Sequence, residues 1–282
     1  MAVLSRTALP AASSYGSANL PRERLSPRLP RRKQPHPIVL GLDGRDSDRA
    51  VITAGRLLGV RTGSRLMAVS VRRRSGTPSP ESPDHPADLP VWHTSIVGDG
   101  VALALVAEAM SADARLLIIG QDRHEIWDQL VQGEVSLEVV RRCERPVLVV
   151  DRSFTALPRT AVVGVTADDA SRRTAAAAAR MLDQDGTLYL AHVVEHGSTD
   201  QAAEQLVAAR AAELSASGSV AVRTEVLKGS PSSELLSLAR RTRAELVAVG
   251  VSGAHGRTRM YTGGVATDLL RKGGRSVLLV QG

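Results

Sequence analysis

Aromatic residues are nearly missing from this 282-residue sequence, where Phe, Trp and Tyr together make up 2%. So little ring surface leaves few platforms on which bases could stack, which argues against a binder of single-stranded nucleic acid. Cysteine is as scarce. The lone Cys143 can close no internal disulfide and points to a reducing compartment. It precedes the apolar run "PVLVV", where an inert buried thiol is expected. No apolar run approaches the ~20 residues of a membrane-spanning helix, so no membrane partner is expected. Lysine is rare too, 3 residues against 33 arginines, which reads as compositional bias rather than a binding code.

Hydrophobic residues make up 43%, enough for a globular protein, and the length suits two domains that each bury a core. The net charge of +7 suggests nucleic acid until the charges are located. Residues 1–37 hold seven cations against Glu23 alone, a net of +6, so everything from Ile38 onward carries +1. The folded part is nearly neutral, and no specific nucleic-acid partner is expected. Residues 1–37 are rich in Ser, Pro and Arg without periodicity and read as a disordered basic tail. Arg-rich, acid-poor composition also describes an organellar transit segment, but the reading adopted is a cytoplasmic protein with a basic tail.

Beyond the tail, apolar runs of five or six residues alternate with helix-length segments, and they do so twice. The first set is "PIVLGLDG", a helix from about Ser47 to Leu58, "RLMAVSV", "VWHTSIVG", a helix through "VALALVAEAM", "RLLIIG", a helix from about Gly133 to Arg142, and "PVLVV". The second is "TAVVGVTA", a helix through "SRRTAAAAARML", "TLYLAHVV", a helix from about Asp200 to Ser215, "VAVRTEVL", a helix from about Ser232 to Arg243, "ELVAVG", a last helix and "SVLLV". This is the pattern of parallel sheets covered on both faces, so the fold class is α/β with two tandem doubly wound domains. They are expected at 38–152 and 159–282, joined by a short linker from Asp151 to Arg159. Gly120 and Gly250, Gly133 and Gly263, and Leu148 and Leu278 each lie 130 residues apart, which marks an internal duplication. The halves differ where "RRRSGTPSPESPDHPADLP" of the first stands in place of the amphipathic helix "DQAAEQLVAARAAELS" of the second. The two "PVLVV" and "SVLLV" strands would otherwise be exposed sheet edges, so the domains are expected to pair through them, Leu148 near Leu278.

Ligands of open parallel sheets bind beyond the strand ends, where strand order reverses. In the second half that directs attention to "GVTADD" and to "VGVSGAHGRTRMYTGG", residues 249–264, which holds five glycines yet fits neither a lysine-bearing phosphate loop nor G-x-G-x-x-G. Gly250 ends a strand, Gly253 permits a turn, and Gly263 and Gly264 open the last helix, whose free N–H groups attract anions. Taken alone, these glycines fit turn and packing roles equally well.

Here the sequence resembles the universal stress protein family in its tandem form. The family motif G-x2-G-x9-G-[S/T] is matched by Gly250, Gly253 and Gly263, with "KGSPSSELLSLA", "AELVAVG", "LYLAHVV" and "SVLLV" in the family's order. The resemblance implies five-stranded domains of the adenine-nucleotide alpha-hydrolase-like class, a stress-linked regulatory or binding role, ATP as cofactor, and pairing of domains or of whole chains as a homodimer. It implies that an aspartate ending strand one recognises adenosine, and that the final G-[S/T] holds phosphates. The first half keeps Asp43, Gly120 and Gly133, but has Arg123 for the second glycine and Glu134 for the hydroxyl residue. A carboxylate at the phosphate position repels the ligand, so no ATP is expected there. The second half has Thr166 for the aspartate and Gly264 for the hydroxyl residue, while Val193, Ser252 and Val265 complete the implied contacts. That site is expected to be weakened, and Thr166→Asp and Gly264→Ser should each tighten it.

The remaining candidates are thin. His192 and His196 leave a strand without a third metal ligand, and Asp168 and Asp169 read as helix caps. No Ser/His/Asp or Cys/His set and no ligand set for magnesium stands out, so a catalytic role is not expected. The alternative to a nucleotide-binding protein is a nucleotide-independent scaffold that acts through an unidentified protein partner.

Overall fold

Runs such as "LLIIG" and "VLVV" alternate poorly but are apolar throughout, and the structure buries them on both faces of one sheet. In the computed structural model, residues 36–43, 47–73, 91–96, 100–121, 135–194, 200–215, 220–251, 264–272 and 274–282 are described. The first half comprises β1 (Ile38–Leu42), α1 (Ser47–Thr62), β2 (Leu66–Arg73), β3 (Val91–Ile96), α2 (Val101–Ser111), β4 (Leu116–Gly120), α3 (Val135–Arg142) and β5 (Val147–Val150). The second comprises β6 (Thr160–Gly164), α4 (Asp169–Met181), β7 (Thr187–Val194), α5 (Asp200–Ser215), β8 (Ala221–Lys228), α6 (Pro231–Arg241), β9 (Leu246–Val251), α7 (Gly264–Lys272) and β10 (Ser276–Gln281).

All ten strands join one sheet in the order β3-β2-β1-β4-β5-β10-β9-β6-β7-β8. Each half has the same internal order and is parallel throughout. The seam is antiparallel, β5 against β10, with Leu148 opposite Leu278 as the sequence suggested. Both leucines are almost fully buried. Because side chains alternate across a strand, Val147 and Val149 enter the core on one face and Leu148 and Val150 the core on the other. Each of these cores runs through both halves. The halves are therefore packed as one continuous body rather than as separate beads.

Two glutamines bridge the seam reciprocally. Gln121, just beyond β4, donates from Nε2 to the Leu270 carbonyl of α7 at 2.8 Å, and Gln281, ending β10, donates likewise to the Val140 carbonyl of α3 at 2.8 Å. The segment from Asp151 to Arg159 is a turn in which the Asp151 carboxylate accepts from the Ser153 N–H at 3.0 Å, while Phe154 and Leu157 pack against the core shared by the two halves. Cys143 is buried and unpaired, and burial pushes its thiol above its ordinary value, consistent with an inert packing residue.

Several helix limits differ from expectation. α1 continues to Thr62, and α6 starts at Pro231, a residue suited to the first helical position, and ends at Arg241. α3 is described from Val135. The basic tail up to residue 35, the proline-rich stretch at 74–90, and Arg123, Gly133 and Glu134 lie outside the described residues.

Candidate functional site

In the second half the strand order reverses at β6, with β7 on one side and β9 on the other. Open α/β sheets bind ligands at such a point. Here a cavity of about 490 Å³ lies beyond the strand ends. It is lined by Gly164, Val165 and Thr166 after β6, Ala191, His192 and Val193 of β7, Pro231 and Leu235 of α6, Val249 to Val251 of β9, and Val265 and Ala266 of α7. The structure thus brings together Thr166, Val193, Gly250 and Val265 of the residues singled out from sequence. Gly264 opens α7 beside them. Ser252, Gly253, Gly263 and His196 lie outside the described residues.

Gly250 has a structural reason to be glycine. A Cβ there would stand 3.1 Å from the Ala170 carbonyl carbon, the Ala170 Cβ and the Ser171 nitrogen, in the first turn of α4. Gly120 is tighter still, its Cβ meeting the Ser47 Cβ at 2.6 Å. Both repeat glycines therefore let a helix start press against a strand end, whatever the site holds. Gly264 is different, since a Cβ added there meets nothing within 4 Å.

The loop between β6 and α4 is held by a local network. The Thr166 N–H donates to Ser171 Oγ at 3.0 Å, and the Thr166 hydroxyl donates to Asp168 Oδ1 at 3.0 Å. The same carboxylate oxygen accepts the Ser171 N–H at 2.8 Å, so Asp168 is the N-cap of α4. Asp169, within the helix, pairs with exposed Arg172, whose hydrogen bond and charge hold that carboxyl below its ordinary range. From α5, the buried Arg210 donates to the Ala167 and Asp168 carbonyls at 3.4 and 3.2 Å while pairing with Glu213 at 3.1 Å. In the first half the Asp43 N–H is bound equivalently, by Asp48 Oδ1 at 3.1 Å. Asp43 and Thr166 thus occupy matching positions.

Across the cavity, Ser232 of α6 donates to Asp268 Oδ2 at 2.8 Å, and Lys272 approaches Asp268 Oδ1 at 3.4 Å. The serine hydrogen bond, then the lysine charge, hold the Asp268 carboxyl below its ordinary range, which keeps this tie between α6 and α7 in place at neutral pH. Among the described residues no group of His, Cys, Asp and Glu could hold a metal, and no helix is long and apolar enough to cross a membrane. Among the described residues that line the cavity, His192 is the one with a titratable side chain. Sequence reasoning weighed it as a metal ligand and missed it as a wall of the pocket. The signal available was its place next to Val193. Arg210 was missed too, because its register against the α4 loop is set by tertiary packing. Apolar walls, exposed backbone and a helix start suit binding of a flat apolar group bearing an anion.

Two five-stranded doubly wound halves joined edge to edge, with a switch-point cavity, define an α/β protein with a mostly parallel sheet. Comparison with known proteins shows what the chain is similar to. The sequence model of the universal stress protein family matches residues 158–281. Universal stress proteins of two Mycobacterium tuberculosis strains, CDC 1551 and H37Rv, are each 27% identical over 196 residues, 64% of this chain. The match spans 65% of the length of those relatives. A universal stress protein structure from Archaeoglobus fulgidus superposes with a TM-score of 0.67 at 16% identity, covering 88% of this chain and 99% of its own. A functionally unknown protein from Pseudomonas aeruginosa PAO1 gives 0.63 at 14% identity, covering 88% and 93%. These structural likenesses run over both halves and concern the fold. The chain is thus similar to universal stress proteins, by the family model over residues 158–281 and by fold over both halves.

Proposed function

We propose that this chain is a stress-linked regulatory or binding protein whose second domain, 159–282, holds an adenine nucleotide weakly in the switch-point cavity. The observation that carries this reading is the convergence of Thr166, Val193, Gly250 and Val265 from separate elements on one cavity beside the start of α7. In this reading the phosphates meet the N–H groups opening α7, where the helix dipole favours negative charge. The base lies among the apolar walls. The first domain, 38–152, binds no nucleotide in this reading, since its sequence has Glu134 where the motif has a hydroxyl residue.

The weakness follows from what is lost. Thr166 supplies no carboxylate, and its hydroxyl hydrogen is committed to Asp168. Gly264 supplies no hydroxyl. At roughly 1–3 kcal/mol for each lost partner, affinity falls about tenfold to a hundredfold per position. Binding rather than turnover is proposed, because the described residues that line the cavity are mostly apolar and suit holding a ligand. Isothermal titration of the full chain with ATP should give saturable heat in the high micromolar to millimolar range, abolished by Gly253→Val. Absence of heat at millimolar ATP would favour the nucleotide-independent scaffold and refute this reading.

A further inference from the structure

The seam uses up β5 and β10, so the ten-stranded sheet is left with β3 and β8 as its edges. Strand β8 reads AVRTEVLK, has neither proline nor glycine, and pairs with β7 along its whole length. Natural edges are usually blunted by proline, bulges, short length or inward charge. Here Ala221, Arg223, Thr224 and Lys228 are exposed. The Ala221 N–H donates to the Gly186 carbonyl on the β7 side at 3.0 Å. Backbone groups alternate in direction along a strand, so those of Val222, Thr224 and Val226 point outward. Among the described residues nothing bonds their N–H groups.

Side chains alternate too. Arg223 and Glu225 share one face with Tyr189, over whose ring the Arg223 guanidinium lies at 5.8 Å, while Val222, Thr224 and Val226 share the other. If β8 pairs antiparallel with β8 of a second copy, outward-pointing residues must face outward-pointing residues to exchange hydrogen bonds. A two-fold axis at Thr224 sets Thr224 against Thr224, Val222 against Val226 and Arg223 against Glu225, each contact repeated by symmetry. A slip of two residues either way sets Arg223 against Arg223 or Glu225 against Glu225, which like charge disfavours. The strand is therefore complementary to itself in one register.

We infer that this edge is a homodimer interface, in which β8 of two copies pair antiparallel about a two-fold axis at Thr224 and one sheet continues across both molecules. The charge pattern argues for a second copy as the occupant. The molecule already joins its own halves by an antiparallel edge seam of the same kind. The inference stands apart from the nucleotide reading.

The test is sedimentation velocity on the full chain at physiological ionic strength, where a Debye length of ~8 Å screens the basic tail. At ~100 μM, well above a micromolar dissociation constant, the unaltered protein should sediment as a dimer. Arg223→Glu turns two attractive pairs into two repulsive ones and should raise the dissociation constant about 10- to 100-fold. Glu225→Arg should do the same. Mixed in equal amounts, the two variants should dimerise again, because each glutamate then faces an arginine. The double variant should recover self-association through the exchanged pair. The mixture guards against misfolding, since a damaged chain would not be rescued by a differently altered one. Thr224→Pro removes an outward N–H that β7 does not use and should give a folded monomer. A monomeric unaltered protein at ~100 μM would overturn the inference and leave the edge to a strand of another protein. A dimer indifferent to Arg223→Glu, or a mixture no more associated than its components, would overturn it too and place self-association elsewhere.

Discussion

Replacing Gly264 with serine probes the nucleotide reading with little disturbance to the fold. A Cβ at Gly264 meets nothing within 4 Å, whereas one at Gly250 is pressed against the backbone of α4. Serine at the first residue of α7 is also compatible with helix initiation, and it removes a glycine's freedom from the unfolded chain. The melting temperature should stay level or rise slightly. The added hydroxyl stands where the family motif has Ser or Thr, at the end of the helix that attracts anions. A hydrogen bond to a charged group contributes about 1.5–3 kcal/mol, so the dissociation constant for ATP should fall roughly tenfold to a hundredfold. Titration with ATP, ADP and adenosine separates this from a general gain in order. The tightening belongs to ATP and ADP, while adenosine, which has no phosphate, should bind as it does to the unaltered protein. An unchanged ATP affinity, or an equal gain for adenosine, would refute the placement of phosphates at α7.

Thr166→Asp should fail to tighten ATP binding, despite restoring the family's residue, because Thr166 Oγ1 lies 3.0 Å from Asp168 Oδ1. Two carboxylates ~4 Å apart repel by on the order of 4 kcal/mol at an effective dielectric near 20. Combining it with Asp168→Asn, which retains a capping side chain, should recover the gain, and calorimetry showing tighter binding by the single variant would contradict this. Leu278→Ala opens a cavity at the seam opposite Leu148 and should cost about 2–5 kcal/mol. With both cores running across the seam, scanning calorimetry should show one unfolding transition lowered as a whole. Two transitions of which one is unmoved would refute the coupling.

Much of the fold was legible because parallel strands buried on both faces must be apolar throughout, and this chain repeats them at a spacing of 130 residues. The edge pairing was legible for a related reason, since "PVLVV" and "SVLLV" are too apolar to be left as exposed edges. The site was legible only in part. Gly250 could be placed at a strand end from its position, but its close approach to Ala170 and Ser171 depends on where α4 docks. Thr166 read as a simple loss of a carboxylate. The structure shows its hydroxyl tied to Asp168, which reverses the expected effect of restoring the acid.

By itself, then, the sequence determined the alternation of strands and helices, the duplication, the near-neutral folded part and the glycine spacing that carries the family resemblance. These are properties of local pattern, set by periodicity, burial and backbone freedom along the chain. Tertiary structure alone decided that the ten strands form one sheet with cores continuous across the seam, that Gln121 and Gln281 exchange hydrogen bonds with helices of the opposite half, and that His192 Nδ1 meets the Val165 carbonyl. Val165 and His192 are 27 residues apart in the chain. Their meeting follows from the β6–β7 register, and no local pattern records which carbonyl a side chain will reach once strands are paired.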